Sequence, residues 1–500
     1  MDINEGVRNT IRSLPPRIHL CYQPRSQTDI QRGQVVGALS SLKRFGQGPS
    51  WSPVVTVSRS ASFKNALVQD YHITSHTMSV DVCIVGAGLS GAVIANRYAN
   101  ETNKKVLVLD SRDHIGGNCY DYVNKYGVRM NKYGAHLFHT KRRDVWDFIS
   151  QFGTWEPWEH RTLAKVYTAD GPKHVPIPIC IPTVQQLYDP DVKTEQDMLE
   201  FFKNETKDIN FTKPYKNSEE STLARFGRRI YESFFRDYTI KQWDKSPERL
   251  DASVLERIPL RLNYDDRYFT DEIQMLPSSG YTSIFEDLLD HSHIQVLLGV
   301  DYLKHKECFK NIQTTIFTGP IDGYFADYNY KKLEYRSLNF KEENVELERD
   351  DDYVLPASVV NEPSMKVKYT RTVEYKHFLQ QKAYTSTLVR EYSSSEGDPY
   401  YPVPNDENRG TYKAFQELAE TETARERRRV CFLGRLANYK YMNMDQAIGN
   451  ALDHWEDWKR DWLQVCDSPV PQTVLHRPQQ HHNGFTQNHI DDVREVGKVA

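Results

Sequence analysis

The stretch "VGAGLSGAV" sets Gly86, Gly88 and Gly91 between an apolar run and a helix-like pattern. In this GxGxxG spacing the first glycine permits a tight turn, the second lets a pyrophosphate approach the backbone, and the third lets helix and strand pack closely. The phosphate charge then meets the helix N-terminus. The triplet alone is a weak signal. It gains weight because "KKVLVLD" follows as a second buried strand and ends on Asp110, nineteen residues beyond Gly91, where an acid binds a ribose hydroxyl. An acid at that place suits an adenosine ribose without a 2′-phosphate. A second glycine pair, Gly116 and Gly117 in "SRDHIGGN", suits a cofactor that extends further. The later strand–glycine–helix pattern around Gly434 offers a second helix N-terminus to face a flavin carbonyl. Both features favour FAD over NAD.

"KYGAHLFHT" carries two histidines, His136 and His139, three residues apart. As metal ligands they lack a third partner, and the seven scattered cysteines form no CxxC pair, so no metal site is expected. Free thiols in odd number suit a reducing compartment, which makes the cytoplasm the expected location. Net charge is −4 over 500 residues, so a nucleic-acid-coating surface is not indicated. No apolar run approaches the ~18–20 residues of a transmembrane helix, and membrane insertion is not expected.

These groups need elements to position them. Residues 1–78 mix Pro, Ser, Gln and Arg with few apolar runs and read as a disordered extension, dispensable for catalysis. Asp2 and Glu5 argue against a transit peptide there. From Val80 a βαβ beginning is evident. Beyond about residue 185 helical signals dominate: Thr194 and Asp197 read as a capping pair, and Leu223, Phe226, Ile230, Phe234 and Tyr238 fall on one stripe expected to pack into core. From about 325 to 400, "KLEYRSLNF" and "YTSTLVREY" alternate as a half-buried sheet does, with the charge run Glu346 to Asp352 as a solvated hairpin tip. The stretch 466–500 is a polar, Gln- and His-rich tail. The expected fold is thus α/β in its first unit and α+β overall.

The residues resemble one family closely. "DHIGGN", "KYGAHLFHT", "DYTIKQW", "RIPLRLNYDDRYF", "TGPIDGYF", "LEYRSL", "YTRTVEYKHF", "GDPYYPVPND" and "GRLANYKYMNMDQAI" occur in the order and spacing of UDP-galactopyranose mutases, over about residues 79–455. The resemblance implies a Rossmann-like FAD-binding unit (79–160, 276–325 and 425–460), a helical insertion (185–258) and an antiparallel β-sheet unit (161–184, 259–275 and 326–424), with substrate in the cleft between them. It implies interconversion of UDP-galactopyranose and UDP-galactofuranose without net redox, on a reduced flavin whose N5 acts as nucleophile towards the anomeric carbon. NADPH or NADH is the implied reductant, and a homodimer the implied assembly.

By motif match, Arg261 in "IPLRL" and Arg371 in "YTRTV" correspond to the arginines that hold the departing diphosphate, a task suited to a permanently charged, two-pronged donor. Tyr401 and Tyr441 correspond to tyrosines on the same phosphates, and Tyr268 to the aromatic on uracil. Tyr238, Thr239 and Trp243 correspond to the uridine side. Arg435 corresponds to an arginine beside both flavin and substrate, and Asn118, His136, Gly434 and Met444 to cofactor contacts. Of the two histidines, His139 is the one expected to act. Two departures from the family pattern are Leu433 in place of a first glycine and Asn443 where an acid is common. An amine-oxidase-like flavoenzyme and a non-catalytic nucleotide-sugar binder are the competing readings; neither accounts for both the phosphate-holding residues and the intact flavin motifs.

Overall fold

Strand Val82–Val85 is wholly apolar and its neighbour Val106–Asp110 is apolar up to its last residue, as strands covered on both faces must be, while on the other side Thr314–Phe317 buries its last three residues. Their alternation decides which side each residue faces. Val82, Ile84, Val106, Val108 and Ile316 pack into one core with helices Leu89–Glu101 and Met444–Cys466. Cys83, Leu107, Leu109, Phe317 and Val430 pack into another with Tyr302, Tyr324 and Phe415. The full sheet is parallel, in the order Ile294–Leu298, Val106–Asp110, Val82–Val85, Thr314–Phe317, Arg429–Phe432. The order reverses direction beside Val82–Val85, and the crevice at the carboxyl ends there is where such sheets take dinucleotides. A computed structural model of the protein describes residues 80–466, with side chains to Arg460. The expectations for 1–78 and for the tail over 466–500 fall outside that span, apart from Cys466, which ends the last helix.

A second sheet has seven strands, in the order Tyr401–Pro402, Tyr335–Glu346, Thr385–Ser394, Arg371–Glu374, Val359–Asn361, Thr162–Thr168, Gly171–Ile177. One pairing, Val359–Asn361 on Thr162–Thr168, is parallel, so the unit is not wholly antiparallel. Tyr335–Glu346 pairs with Thr385–Ser394 from Ser337–Ser394 to Glu346–Thr385. The acidic run after Glu346 is therefore no hairpin tip: the chain leaves there for two further strands before returning at Thr385.

The helices Glu195–Thr206, Ser218–Ile230 and Arg236–Trp243 share a third core with Phe226, Phe234 and Phe235. Thr194 and Asp197 form the expected capping box. The apolar stripe breaks at its end. Gly227 is non-helical and Tyr231–Phe235 is a π turn, so the segment is not one regular helix: Leu223, Phe226 and Ile230 stay in the core, whereas Phe234, though buried, and Tyr238 line a cleft. Two segments also sit outside the seven-stranded sheet, one expected in the sheet unit as far as residue 424 and the other as far as residue 275. Helix Asp406–Glu426 contributes Phe415 to the core under the parallel sheet, and Ile273–Pro277 pairs with Phe138–Thr140 and Trp155–Pro157 in a small separate sheet. No helix among the described residues is long and apolar enough to cross a membrane. The five cysteines whose side chains are described are free thiols.

Candidate functional site

The glycine turn closes around two contacts. A Cβ on Gly91 would stand 1.9 Å from the Gly86 carbonyl oxygen, so helix and turn approach as only glycine allows. Gly117, at φ +55°, faces Gly88 across the groove, and a Cβ there would lie 2.9 Å from the Gly88 Cα. Helix Leu89–Glu101 begins at Gly88 without a side-chain cap and with no acid in its first turn, leaving its N–H groups open to an anion. Asp110 accepts from the Ala87 N–H (2.8 Å) and the Arg112 N–H (2.9 Å). Each carboxylate oxygen keeps a second lone pair for a ribose hydroxyl. Gly86, Gly88, Asp110, Arg112 and Gly117 line a groove of about 460 Å³ with Gly116, Asn118, His136, Gly434, Arg435 and Met444. The chemistry and shape fit a dinucleotide. One detail differs from expectation: no helix starts at Gly434. The chain turns there, and the helix begins at Met444, so the terminus facing the groove is that of Met444–Cys466.

A second cleft opens from the first. Asn118, His136, Arg435, Asn443 and Met444 line both. The second is completed by His139, His160, Tyr238, Thr239, Trp243, Arg257, Tyr268, Arg371, Tyr401 and Tyr441. Nearly every residue expected at the substrate is therefore gathered here. Arg261 is the exception. It is 6% exposed, forms an ion pair with Asp265 (2.6 Å), and donates to the carbonyls of Asp265 and Tyr268 (both 3.4 Å), away from the cleft. The cleft arginine of "RIPLR" is Arg257, which follows the short helix Ser253–Glu256, donates through Nε to the Val254 carbonyl (3.1 Å) and lines the cleft. The motif held two arginines four apart, and spacing alone does not choose between them.

Charge decides what the second cleft takes. Arg371 is paired with the buried Glu391 (2.6 Å). Among the described residues no carboxylate pairs with Arg257 or Arg435. Arg435 is fixed by the Met442 carbonyl (3.2 and 2.9 Å) and the Tyr400 carbonyl (3.3 Å), and lies 5.5 Å and 5.4 Å from the rings of Tyr401 and Tyr441. Arg257 lies 5.4 Å from the Tyr441 ring. Burial opposes ionisation of Tyr441, yet Arg257, Arg435 and Arg371 together draw its phenol below the usual value. Two uncompensated guanidiniums ringed by tyrosine hydroxyls are built for a doubly charged anion such as a diphosphate diester.

His136 lines both clefts, and His139 and His160 only the second. Nδ1 of His136 meets the Gly134 carbonyl at 2.8 Å, so it carries the proton, and burial lowers the ring to about 4, leaving Nε2 an acceptor at neutral pH. His139 lines only the second cleft, with Nδ1 3.0 Å from Asp271 and its ring stacked on Phe269 at 3.6 Å. His160, which the sequence reading passed over, is 3% exposed, lines the same cleft, and is bonded through Nε2 to Thr162 (2.9 Å). Burial, then Arg371 and His139, bring its pKa to about 3. The folded state thus binds fewer protons than the unfolded one between the usual histidine value and that level. Stability should therefore fall as pH drops from about 6.5 towards 3, and His160→Gln should flatten that slope by an amount on the order of a few kcal/mol. Chemical denaturation across pH 4–7 measures it; an unchanged slope would show that His160 is not held neutral by the fold.

The chain is similar to known proteins over most of its length. The sequence profile described as UDP-galactopyranose mutase matches residues 233–441, and one described as an NAD(P)-binding Rossmann-like domain matches 84–152. A probable UDP-galactopyranose mutase of Klebsiella pneumoniae is 35% identical over 78% of this chain and 97% of its own length. The chain belongs to the UDP-galactopyranose mutase family. A dTDP-fucopyranose mutase of Escherichia coli is 36% identical over 74% of this chain and 96% of its own. Among solved structures, a reduced UDP-galactopyranose mutase superposes with a TM-score of 0.59 at 17% identity, covering 77% of this chain and 94% of that one. As a member of this family the chain is an isomerase with a Rossmann-like dinucleotide-binding unit. Among the described residues no group of three or more metal-ligating side chains is assembled.

Proposed function

We propose that the protein interconverts UDP-galactopyranose and UDP-galactofuranose, with FAD along the glycine groove and the nucleotide sugar in the second cleft. The observation that carries this reading is the pair of uncompensated arginines, Arg257 and Arg435, which line the second cleft with Arg371, Arg435 also lining the first. Ring contraction requires UDP to leave the anomeric carbon and later to return, so the developing charge lies on the diphosphate. The three guanidiniums and the hydroxyls of Tyr401 and Tyr441 hold that charge in place. FAD, when bound and reduced, supplies a nucleophilic nitrogen for the anomeric carbon. Gly86, Gly88, Gly91, Gly116, Gly117 and Asp110 hold the dinucleotide; Asn118, Gly434 and Met444 are assigned to its flavin end. Neutral His136 accepts a proton-bearing group at the junction through Nε2, and His139, tied to Asp271, orders the substrate side. Tyr268 and Trp243 are assigned to the nucleoside, with Tyr238 and Thr239 beside them.

The same reading makes NADPH or NADH the source of the initial reduction, the cytoplasm the compartment and a homodimer the assembly. UDP-galactose rather than a deoxy-sugar on dTDP is supported by the family profile and by the Klebsiella relative. Dithionite-reduced protein offered UDP-galactofuranose and dTDP-fucofuranose in parallel should convert the first more efficiently. Preference for the second would assign this chain to the other specificity.

A further inference from the structure

Helix Arg236–Trp243 sends Tyr238, Thr239, Gln242 and Trp243 to the second cleft, but Lys241 does not line it. The Lys241 ammonium instead donates to four backbone carbonyls: Glu362 (2.5 Å), Ser364 (2.9 Å), Val367 (3.3 Å) and Tyr369 (2.8 Å). All four belong to the hairpin loop between strands Val359–Asn361 and Arg371–Glu374. At the mouth of that loop Asn361 and Arg371 are direct cross-strand partners, and both line the cleft with Pro363. The loop has few ladder bonds of its own, the Glu362 N–H to Thr370 carbonyl (2.8 Å) being one. An ammonium has three protons, so four carbonyls converging on it form a cage rather than a chance contact. Of the neighbouring carboxylates, Glu362 is buried and engaged with Lys165 (3.5 Å), and Asp237 accepts from Arg236 (3.0 Å). The backbone cage, not an ion pair, is what holds Lys241.

We propose that Lys241 is a positioning residue: by plugging the carbonyl cage of the hairpin loop, it fixes Asn361 and Arg371 against the helix that bears Tyr238, Thr239 and Trp243, and so sets the width of the diphosphate site. This rests on the reading of that cleft as the nucleotide-sugar site. The bond pattern itself is independent of that reading, and the test separates the two.

Flavin-loaded Lys241→Ala and Lys241→Met proteins are compared with the parent for UDP affinity by calorimetry and, without nucleotide, for amide exchange over 362–370. Misplacement of one wall of a binding site costs roughly 10- to 100-fold, and that loss of UDP affinity is expected, with faster exchange in the loop and unchanged flavin retention. The emptied cage in Lys241→Ala is a ring of carbonyls of the kind that hosts small monovalent cations. Ammonium ions should therefore restore part of both properties, and tetramethylammonium, too large for the cage, should not. Unchanged UDP affinity, unchanged loop exchange or equal effects of the two salts would each overturn the proposal. Should the parent protein itself fail to bind UDP, the cleft assignment falls, and loop exchange with its ammonium rescue alone decides whether Lys241 holds the hairpin.

Discussion

Arg257→Ala is expected to lower kcat/KM by about 10²- to 10⁴-fold in a folded, flavin-loaded protein, while Arg261→Ala leaves it within a few-fold. Arg257 lines the cleft without an acidic partner; its Nε donates to the Val254 carbonyl (3.1 Å), which leaves the terminal Nη donors for phosphate oxygens. Two charge-assisted bonds of about 1.5–3 kcal/mol each account for the loss, at about 1.4 kcal/mol per decade. Lysine at the same place should recover only part, since an ammonium lacks the planar fork. Arg261 faces Asp265 instead, and its removal should appear in stability. Because Asp265 keeps Arg267 at 2.9 Å, the cost should be about 2–3 kcal/mol, below the usual range for breaking a buried pair. Steady-state rates and thermal melts of the two alanine variants check this; a catalytic defect in Arg261→Ala larger than in Arg257→Ala would return the phosphate role to Arg261.

Gly91→Ala should yield protein with little or no flavin. The added methyl would stand 1.9 Å from the Gly86 carbonyl oxygen, which is backbone and cannot rotate aside. The turn must then open, and with it the spacing between helix Leu89–Glu101 and the strand beneath, on which the pyrophosphate position depends. The matched control is Gly410→Ala, where a Cβ meets nothing within 4 Å. Flavin absorbance per protein after purification measures the outcome; full flavin content in Gly91→Ala would mean that the groove does not hold the dinucleotide by this turn.

What was legible in the sequence was whatever has a period or a fixed local geometry. The glycine turn, the buried strand ending on Asp110 and the capping box of Thr194 are short-range patterns, and the fold realises each. The aromatic and arginine positions of the second cleft were legible through motif resemblance, because their elements come together only in three dimensions. Reading failed where a local pattern admits two outcomes. "RIPLR" contains two arginines, and the turn after Ser253–Glu256, which no periodicity marks, sends Arg257 rather than Arg261 to the cleft. Tyr238, on the apolar stripe by periodicity, lines the cleft, because the segment carries a non-helical residue at Gly227 and a π turn at Tyr231–Phe235 in place of one regular helix. Gly434 resembles the start of a helix, but the chain runs through a turn to Met444 first. Lys241 gave no signal at all, since its partners are backbone carbonyls and carry no side-chain signature.

The most direct measurement is conversion of UDP-galactofuranose by protein reconstituted with FAD or with 5-deaza-FAD, each tested oxidised and dithionite-reduced. Reduced FAD should support conversion to UDP-galactopyranose without stoichiometric consumption of reductant, oxidised FAD should not, and 5-deaza-FAD should fail in both states because carbon at that position lacks the lone pair. Full turnover with the 5-deaza cofactor, or none with reduced FAD, would contradict the proposed function.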